Sequence, residues 1–231
     1  MKSLFKTTIL FLVACVIVLS SCSKKSDDPQ PENTEPYKSK LVEREQVIQI
    51  PTAFANNNTN RYAVETRGYI TSTNTIFSAY SNLLFIPTNA TNSGNGNWTW
   101  RDLQGNEVTY TTSLAGGEYK VIMEVKPAGG TAYKVFEATE KQDGTCGKIT
   151  WLDESGTAVA VMEWKYENGV FTSTIVSGNQ RIVSESNDNL SGTIKVYEDG
   201  VLLFNAEWQS SGSGECTSYN NDGTQNETGD W

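Results

Sequence analysis

The sequence predicts a mainly β fold, an antiparallel meander of about 10–12 strands curled into a barrel or half-barrel around one long helix near its start. Two observations carry this prediction. One stretch, from Asn60 to Pro87, repeats its apolar residues at helical spacing, and from Asn97 onward short alternating runs are separated by Gly- and Asn-rich turns. A meander that long cannot stay flat, because strand twist accumulates, so it should curl onto the helix.

The helical stripe is legible in sevens. Tyr62, Tyr69, Ile76 and Leu83 step together, Ala63, Ile70, Phe77 and Leu84 keep pace beside them, and Thr66, Thr73 and Tyr80 fill the half-steps. The spacing predicts a helix over about 60–86. Gly68 and Thr71 to Thr75 are poor helix formers, which points to a tertiary partner. A hairpin turning near Asn74 would need one alternate set of residues to be apolar, and both sets are mixed. Asn56 to Asn60 is rich in capping residue types, Pro87 stops the helix, and Thr88 to Gly96 reads as a loop. Ahead of it, Gln46 to Ile50 reads as a short strand or extended lead-in stopped by Pro51.

Strands are expected at about 97–102, 107–113, 118–126, 131–139, 147–153, 157–166, 169–176, 180–186, 192–198 and 201–209, with a last pair near 214–220 and 224–231. Turn signals separate them: Gly105-Asn106, Gly116-Gly117, Gly129-Gly130, Gly156, Asn168-Gly169, Gly178-Asn179, Asp199-Gly200 and Asp222-Gly223. Connections this short join neighbours antiparallel, so spatial order should follow chain order. Alternation agrees: Tyr119, Val121, Met123 and Val125 share one face, as do Ala158, Ala160, Met162, Trp164 and Tyr166, and Leu202, Phe204, Ala206 and Trp208.

Residues 1–21 read as a signal peptide, with Lys2 and Lys6, an apolar run from Ile9 to Leu19 too short to span a membrane, and small residues at its end. Leu19-Ser20-Ser21-Cys22 resembles the lipobox of bacterial lipoproteins. The resemblance implies cleavage before Cys22 and acylation of that residue, hence a membrane anchor needing no transmembrane helix. Residues 22–40 are polar, charged and punctuated by Pro, as a disordered tether would be. The charged run behind Cys22 also resembles the export tag of surface-exposed lipoproteins in some two-membrane bacteria. The implied location is the bacterial outer membrane. Residues 41–231 remain as one helix-plus-β-barrel domain, about 190 residues and enough for a sizeable core.

The chain carries a net charge of −9, and loss of the leader with its two lysines makes it more negative. An acidic surface repels phosphates, which argues against a nucleic-acid partner. The absence of histidine removes the commonest general base, the usual zinc ligand, and the Ser-His-Asp and Cys-His systems. No metal or cofactor is implied. Of four cysteines, Cys15 leaves with the leader and Cys22 is acylated. The expectation for an exported chain is then a Cys146–Cys216 disulfide closing about 70 residues and worth roughly 4 kcal/mol, against two buried free thiols as the alternative.

No catalytic motif has the spacing its chemistry needs. Paired carboxylates such as Glu163 and Glu207 could hydrolyse glycosides if they faced each other. On presumed strands opposite the aromatic faces they read better as exposed ion-pairing residues. Asn187-Asp188-Asn189 and Asn220-Asn221-Asp222-Gly223 read as turns rather than calcium loops, and Met123 as core. The aromatics offer more. Trp98, Trp100, Trp151, Met162, Trp164 and Trp208 are the candidate ligand-facing residues, a platform for a glycan or the lining of an apolar cavity.

A long helix embraced by a curved antiparallel sheet in a lipid-anchored protein is similar in outline to the carriers and receptors of the lipoprotein-localisation system, whose half-barrel holds acyl chains. The likeness is one of architecture and carries no residue across. The leading expectation is a non-enzymatic envelope lipoprotein binding an apolar or glycan ligand, or a protein partner, through its curved sheet. A structural or assembly lipoprotein with a filled core is the first alternative and a carboxylate-based hydrolase the second.

Overall fold

The computed structural model describes residues 47–83 and 86–231, the side chains of 80–82 excepted. The signal peptide, the tether and Cys22 lie outside the described residues, as does Leu84. Among the described residues two helices come first, α1 at Thr52–Ala55 and α2 at Arg61–Leu83. Thirteen strands follow: β1 Thr91–Gly94, β2 Asn97–Arg101, β3 Glu107–Ala115, β4 Glu118–Lys126, β5 Tyr133–Lys141, β6 Cys146–Leu152, β7 Ala158–Glu167, β8 Val170–Ser177, β9 Gln180–Asn187, β10 Gly192–Glu198, β11 Val201–Trp208, β12 Gly214–Tyr219 and β13 Gln225–Asp230.

The expected helix and meander are both present, and sheet order follows chain order from β1 to β13. The order is linear, so the meander is not closed into a barrel. Its two ends are poor partners for closure. β1 is four residues long with a bulge, and β13 reads Gln-Asn-Glu-Thr-Gly-Asp, polar throughout. The loop expected over 88–96 contains β1, which Thr-Asn-Ser-Gly does not announce because it has no apolar alternation. The described part of the lead-in before Pro51, residues 47–50, forms no strand. Val47 and Ile48 are buried there, and the side-chain amide of Asn74 donates to Ile48 O at 3.0 Å and accepts from Ile48 N–H at 2.9 Å.

Five hairpins share one turn: Asp102 to Asn106, Asp153 to Thr157, Asn187 to Ser191, Gln209 to Ser213 and Asn220 to Thr224. In each, the first residue's N–H donates to the fifth residue's carbonyl and its own carbonyl accepts from the fourth residue's N–H. The fourth residue is left-handed, which suits Gly105, Gly156, Gly212 and Gly223. Leu190, with φ of 70°, holds the same place in the Asn187 turn, and its carbonyl accepts the Trp208 indole N–H at 2.9 Å.

The chain divides into two compact units. Of the described residues, one unit holds Ile76–Gly144 and Ile149–Ala158, and the other holds those up to Thr75 with Thr145–Lys148 and Val159–Trp231. In the first unit, register aligns Trp98, Tyr110, Met123 and Phe136 across β2 to β5, all buried on one face. Ile76, Phe77, Ala79 and Leu83 of α2 are buried in the same unit.

The second unit shows why α2 is a helix despite its composition. Asn60 caps it, its Oδ1 accepting from the N–H groups of Tyr62 and Ala63 at 2.9 and 3.3 Å. Along the buried stripe lie Ala63, Thr66, Ile70 and Thr73. The two threonines, expected as fillers, are at its centre and fully buried, while Tyr62 and Tyr69 flank it half-exposed. Each threonine hydroxyl donates to the carbonyl four residues back, Thr66 to Tyr62 and Thr73 to Tyr69, both at 2.9 Å, so neither is stranded by burial. The helix runs across the strands: Tyr62 lies over Gly229 of β13, Thr66 lies by Cys216 of β12, and the Tyr69 ring sits 4.7 Å from that of Phe204 on β11. Seven residues of helix advance about 10.5 Å and two strand spacings cover about 9.6 Å, so each turn or so of helix meets a new strand. Arg67 ties α1 and the following loop to the helix, donating to Phe54 O at 2.6 Å, Asn57 O at 2.7 Å and Asn58 Oδ1 at 2.9 Å.

Gly68 faces solvent, and a Cβ added there meets nothing within 4 Å. Gly68→Ala should therefore raise the unfolding free energy by about 0.5–1 kcal/mol in urea titrations at unchanged slope. Asn74→Ala, which strands both backbone groups of Ile48, should lower it by about 1–3 kcal/mol in the same measurement.

Candidate functional site

The six candidate ligand-facing residues fall three to each unit. Trp98 and Trp100, two apart on β2, both face Tyr110 of β3, with ring centroids 6.2 and 6.4 Å away. Trp98 is buried and Trp100 half-buried. Trp151 on β6 belongs to the same unit and is also buried. In the second unit, Met162 and Trp164 stand two apart on β7, buried, in register with Ile175 and Ser173 of β8. Trp208 lies four strands further on at β11, fully buried, its ring over Gly192 and 5.9 Å from Phe54. The structure thus brings together Trp98 with Trp100, and Met162 with Trp164, and buries all of these but Trp100.

Two donors in the first unit have no hydrogen-bond partner among the described residues, the hydroxyl of Tyr110 and the indole N–H of Trp151. Burial pushes the Tyr110 phenol well above its ordinary range, so it stays a neutral donor. Tyr110 itself escaped the sequence reading. Its place in the alternation of β3, two residues from Val108 on the same buried face, was the available signal.

The open depression at the Gly117 and Lys141 to Asp143 hairpin ends, about 420 Å³, is lined by none of the six. The carboxylates considered for hydrolysis are engaged elsewhere: Glu163 is paired with Lys148 at 2.8 Å, and Glu207 accepts from Gln209 at 3.3 Å. Asp153 and Asp222 spend an oxygen on their own turns. Asp153 Oδ1 accepts from the Ser155 hydroxyl and the N–H groups of Ser155 and Thr157, and Asp222 Oδ1 from the hydroxyl and N–H of Thr224. The Ser155 and Thr224 hydroxyls foremost, then these N–H groups, hold both carboxyls below the usual range. Among the described residues, no group of three or more Cys, Asp or Glu side chains is placed to hold a metal ion, and no helix is long and apolar enough to cross a membrane.

The expected Cys146–Cys216 disulfide is corrected: both are free thiols. Cys146 opens β6 and Cys216 lies in β12, with five strands between them in the sheet order. A disulfide needs Cα atoms within about 7 Å, and strands are spaced about 4.8 Å apart. Elimination among four cysteines could not see that separation. Cys216 is buried beneath α2. Burial and the nearby charge of Glu65 push its thiol up to about 11, against smaller opposing effects of the Thr66 hydroxyl and Arg61.

With this geometry in hand, neither a protein-family model nor any curated protein matches the chain.

A maleimide titration checks the two thiols. In the native protein at pH 7 Cys146, half-exposed, should react and Cys216 should not, and both should react in urea. Because the folded thiol of Cys216 is the harder to ionise, its contribution to stability is present below the unfolded thiol's range and is lost as pH rises toward 11.

Proposed function

We propose that this chain is an envelope lipoprotein, anchored through acyl groups on Cys22, that acts by presenting a packed β surface to a partner and keeps no ligand in its interior. The observation that carries the second half is the burial of the residues a ligand would have to touch: Met162 and Trp208 are 0% exposed and Trp164 is 3% exposed. A ligand reaching them must first displace the protein's own side chains, which are packed as densely as an organic crystal. The first half is supported by Leu19-Ser20-Ser21-Cys22 and the polar stretch behind it. Nothing in the chemistry of the described side chains requires a cofactor.

A second reading, in which the aromatic face of the first unit takes a small apolar or glycan ligand, is favoured by one observation. Trp100 is half-buried beside Trp98, and the donors of Tyr110 and Trp151 have no acceptor among the described residues. The two readings differ in what the purified protein binds. Under the first, an environment-sensitive apolar dye gains no fluorescence with the native mature protein. Saturable uptake of one dye per chain, lost in Trp100→Ala, transfers support to the second.

The anchor is tested separately. Intact mass of the membrane-extracted protein should exceed that of the chain cleaved before Cys22 by the mass of its acyl groups. Cys22→Ser should lose that increment and leave the membrane fraction. An unmodified Cys22 in the membrane-extracted protein removes the anchor from the proposal and leaves the packed interior untouched.

A further inference from the structure

Among the described residues the last strand of the sheet pairs only with β12, and its outer edge is polar throughout. Trp231 and Gly214 exchange both of their backbone hydrogen bonds, at 2.9 and 3.0 Å. Antiparallel pairs alternate between bonded and non-bonded, so Gly229 is bonded to Cys216, whereas Asp230 and Thr228 direct their N–H and C=O groups away from β12. Such outward groups are a template for another strand.

The chain closes part of this template itself. Asn60, the helix cap, donates its Nδ2–H to Asp230 O at 2.8 Å. Beside it, Arg61 is paired with Glu227, and the Tyr62 hydroxyl donates to Glu227 Oε1 at 3.0 Å. We propose that the start of α2 is a guard on the β13 edge, and that the contact it blocks is pairing of that edge with the same edge of a second copy of this chain. A two-fold pairing centred on Thr228 is chemically self-complementary. It sets Asn226 opposite Asp230 of the other copy and Glu227 opposite Gly229, with no like charges face to face. One side chain therefore serves two ends, Oδ1 capping the helix and Nδ2 covering the edge.

The test separates the two roles. Asn60→Ser keeps a capping hydroxyl but loses the reach to Asp230. The full chain carrying Cys22→Ser, which keeps it out of micelles, is compared by sedimentation equilibrium with the same chain carrying Asn60→Ser. Circular dichroism checks that helix content is unchanged, and Asn60→Thr replaces the serine variant if it misfolds. The expected result is a parent that stays monomeric and a variant whose mass doubles along the concentration series. Adding Thr228→Pro should restore the monomer, since it removes an outward N–H and no backbone bond to β12, only the exposed hydroxyl contact with Thr217. A variant that stays monomeric with its helix intact overturns the proposal. So does a dimer that persists with Thr228→Pro, because its interface then lies elsewhere.

Discussion

The second unit depends on a helix lying close to a sheet, and closeness requires small side chains on both. On the helix, Ala63, Thr66 and Thr73 line the buried stripe. On the sheet, register aligns Trp164, Ser173, Ser184, Ile194, Ala206, Cys216 and Gly229 in one row across β7 to β13, and five of these are small. The helix crosses the Cys216 and Gly229 end of that row. Hydroxyls buried there satisfy themselves locally. The threonines bond back along the helix, and Ser173 and Ser184 bond each other at 2.6 Å. These hydroxyls could be placed in the core because each has a fixed partner, and a buried donor without one costs about 1–3 kcal/mol.

Bulk removed from that row reappears beside it. The adjacent rows carry Met162, Ile175, Ile182, Val196 and Phe204 on one side and Phe171 and Trp208 on the other, so small and large residues interleave as a dense core requires. Three glycines within or beside the strands have a specific cause. Any Cβ at Gly192, Gly214 or Gly229 would occupy the space of the ring of Trp208, Trp231 or Tyr62 respectively. Trp231 in turn stacks on Phe54 of α1 at 4.9 Å, which Arg67 covers from the helix side. The short helix, the long helix and the last strands are thus held through a few aromatic rings, each resting on a glycine or on another ring.

Most of the fold was legible because it is local. Alternation and turn residues mark a meander strand by strand, and the sevenfold stripe marks α2 even where Gly68 and the threonine run lower its propensity. What escaped was decided at a distance. β1 exists because Thr91 and Asn92 pair with Thr99 and Trp98, not because Thr-Asn-Ser-Gly favours extension. Thr66 and Thr73 read as compromises in a greasy stripe until the small-residue row beneath them is seen. The alternation did mark which tryptophans share a strand face, as Trp98 and Trp100 do on β2. Whether an inward tryptophan lines a pocket or fills a core depends on what packs over it, and no periodicity encodes that. Cysteine pairing failed for a related reason, since a count of thiols contains no strand order.

The outer face of the sheet follows a different logic in the two units. Across β3 to β5 charges of opposite sign meet in register, Glu107 with Lys126, Glu118 with Lys141 and Glu124 with Lys134. Across β11 to β13 the register instead sets Glu207 opposite Glu215 and Glu215 opposite Asp230, all exposed. Opposed pairs favour a sheet by a few tenths of a kcal/mol and like pairs oppose it by a similar amount. The first arrangement needs no explanation beyond stability, and the second works against it. Buried apolar side chains lie on one face of the strands in both units. What distinguishes β3 to β5 from β11 to β13 is therefore the charge pairing on the exposed face.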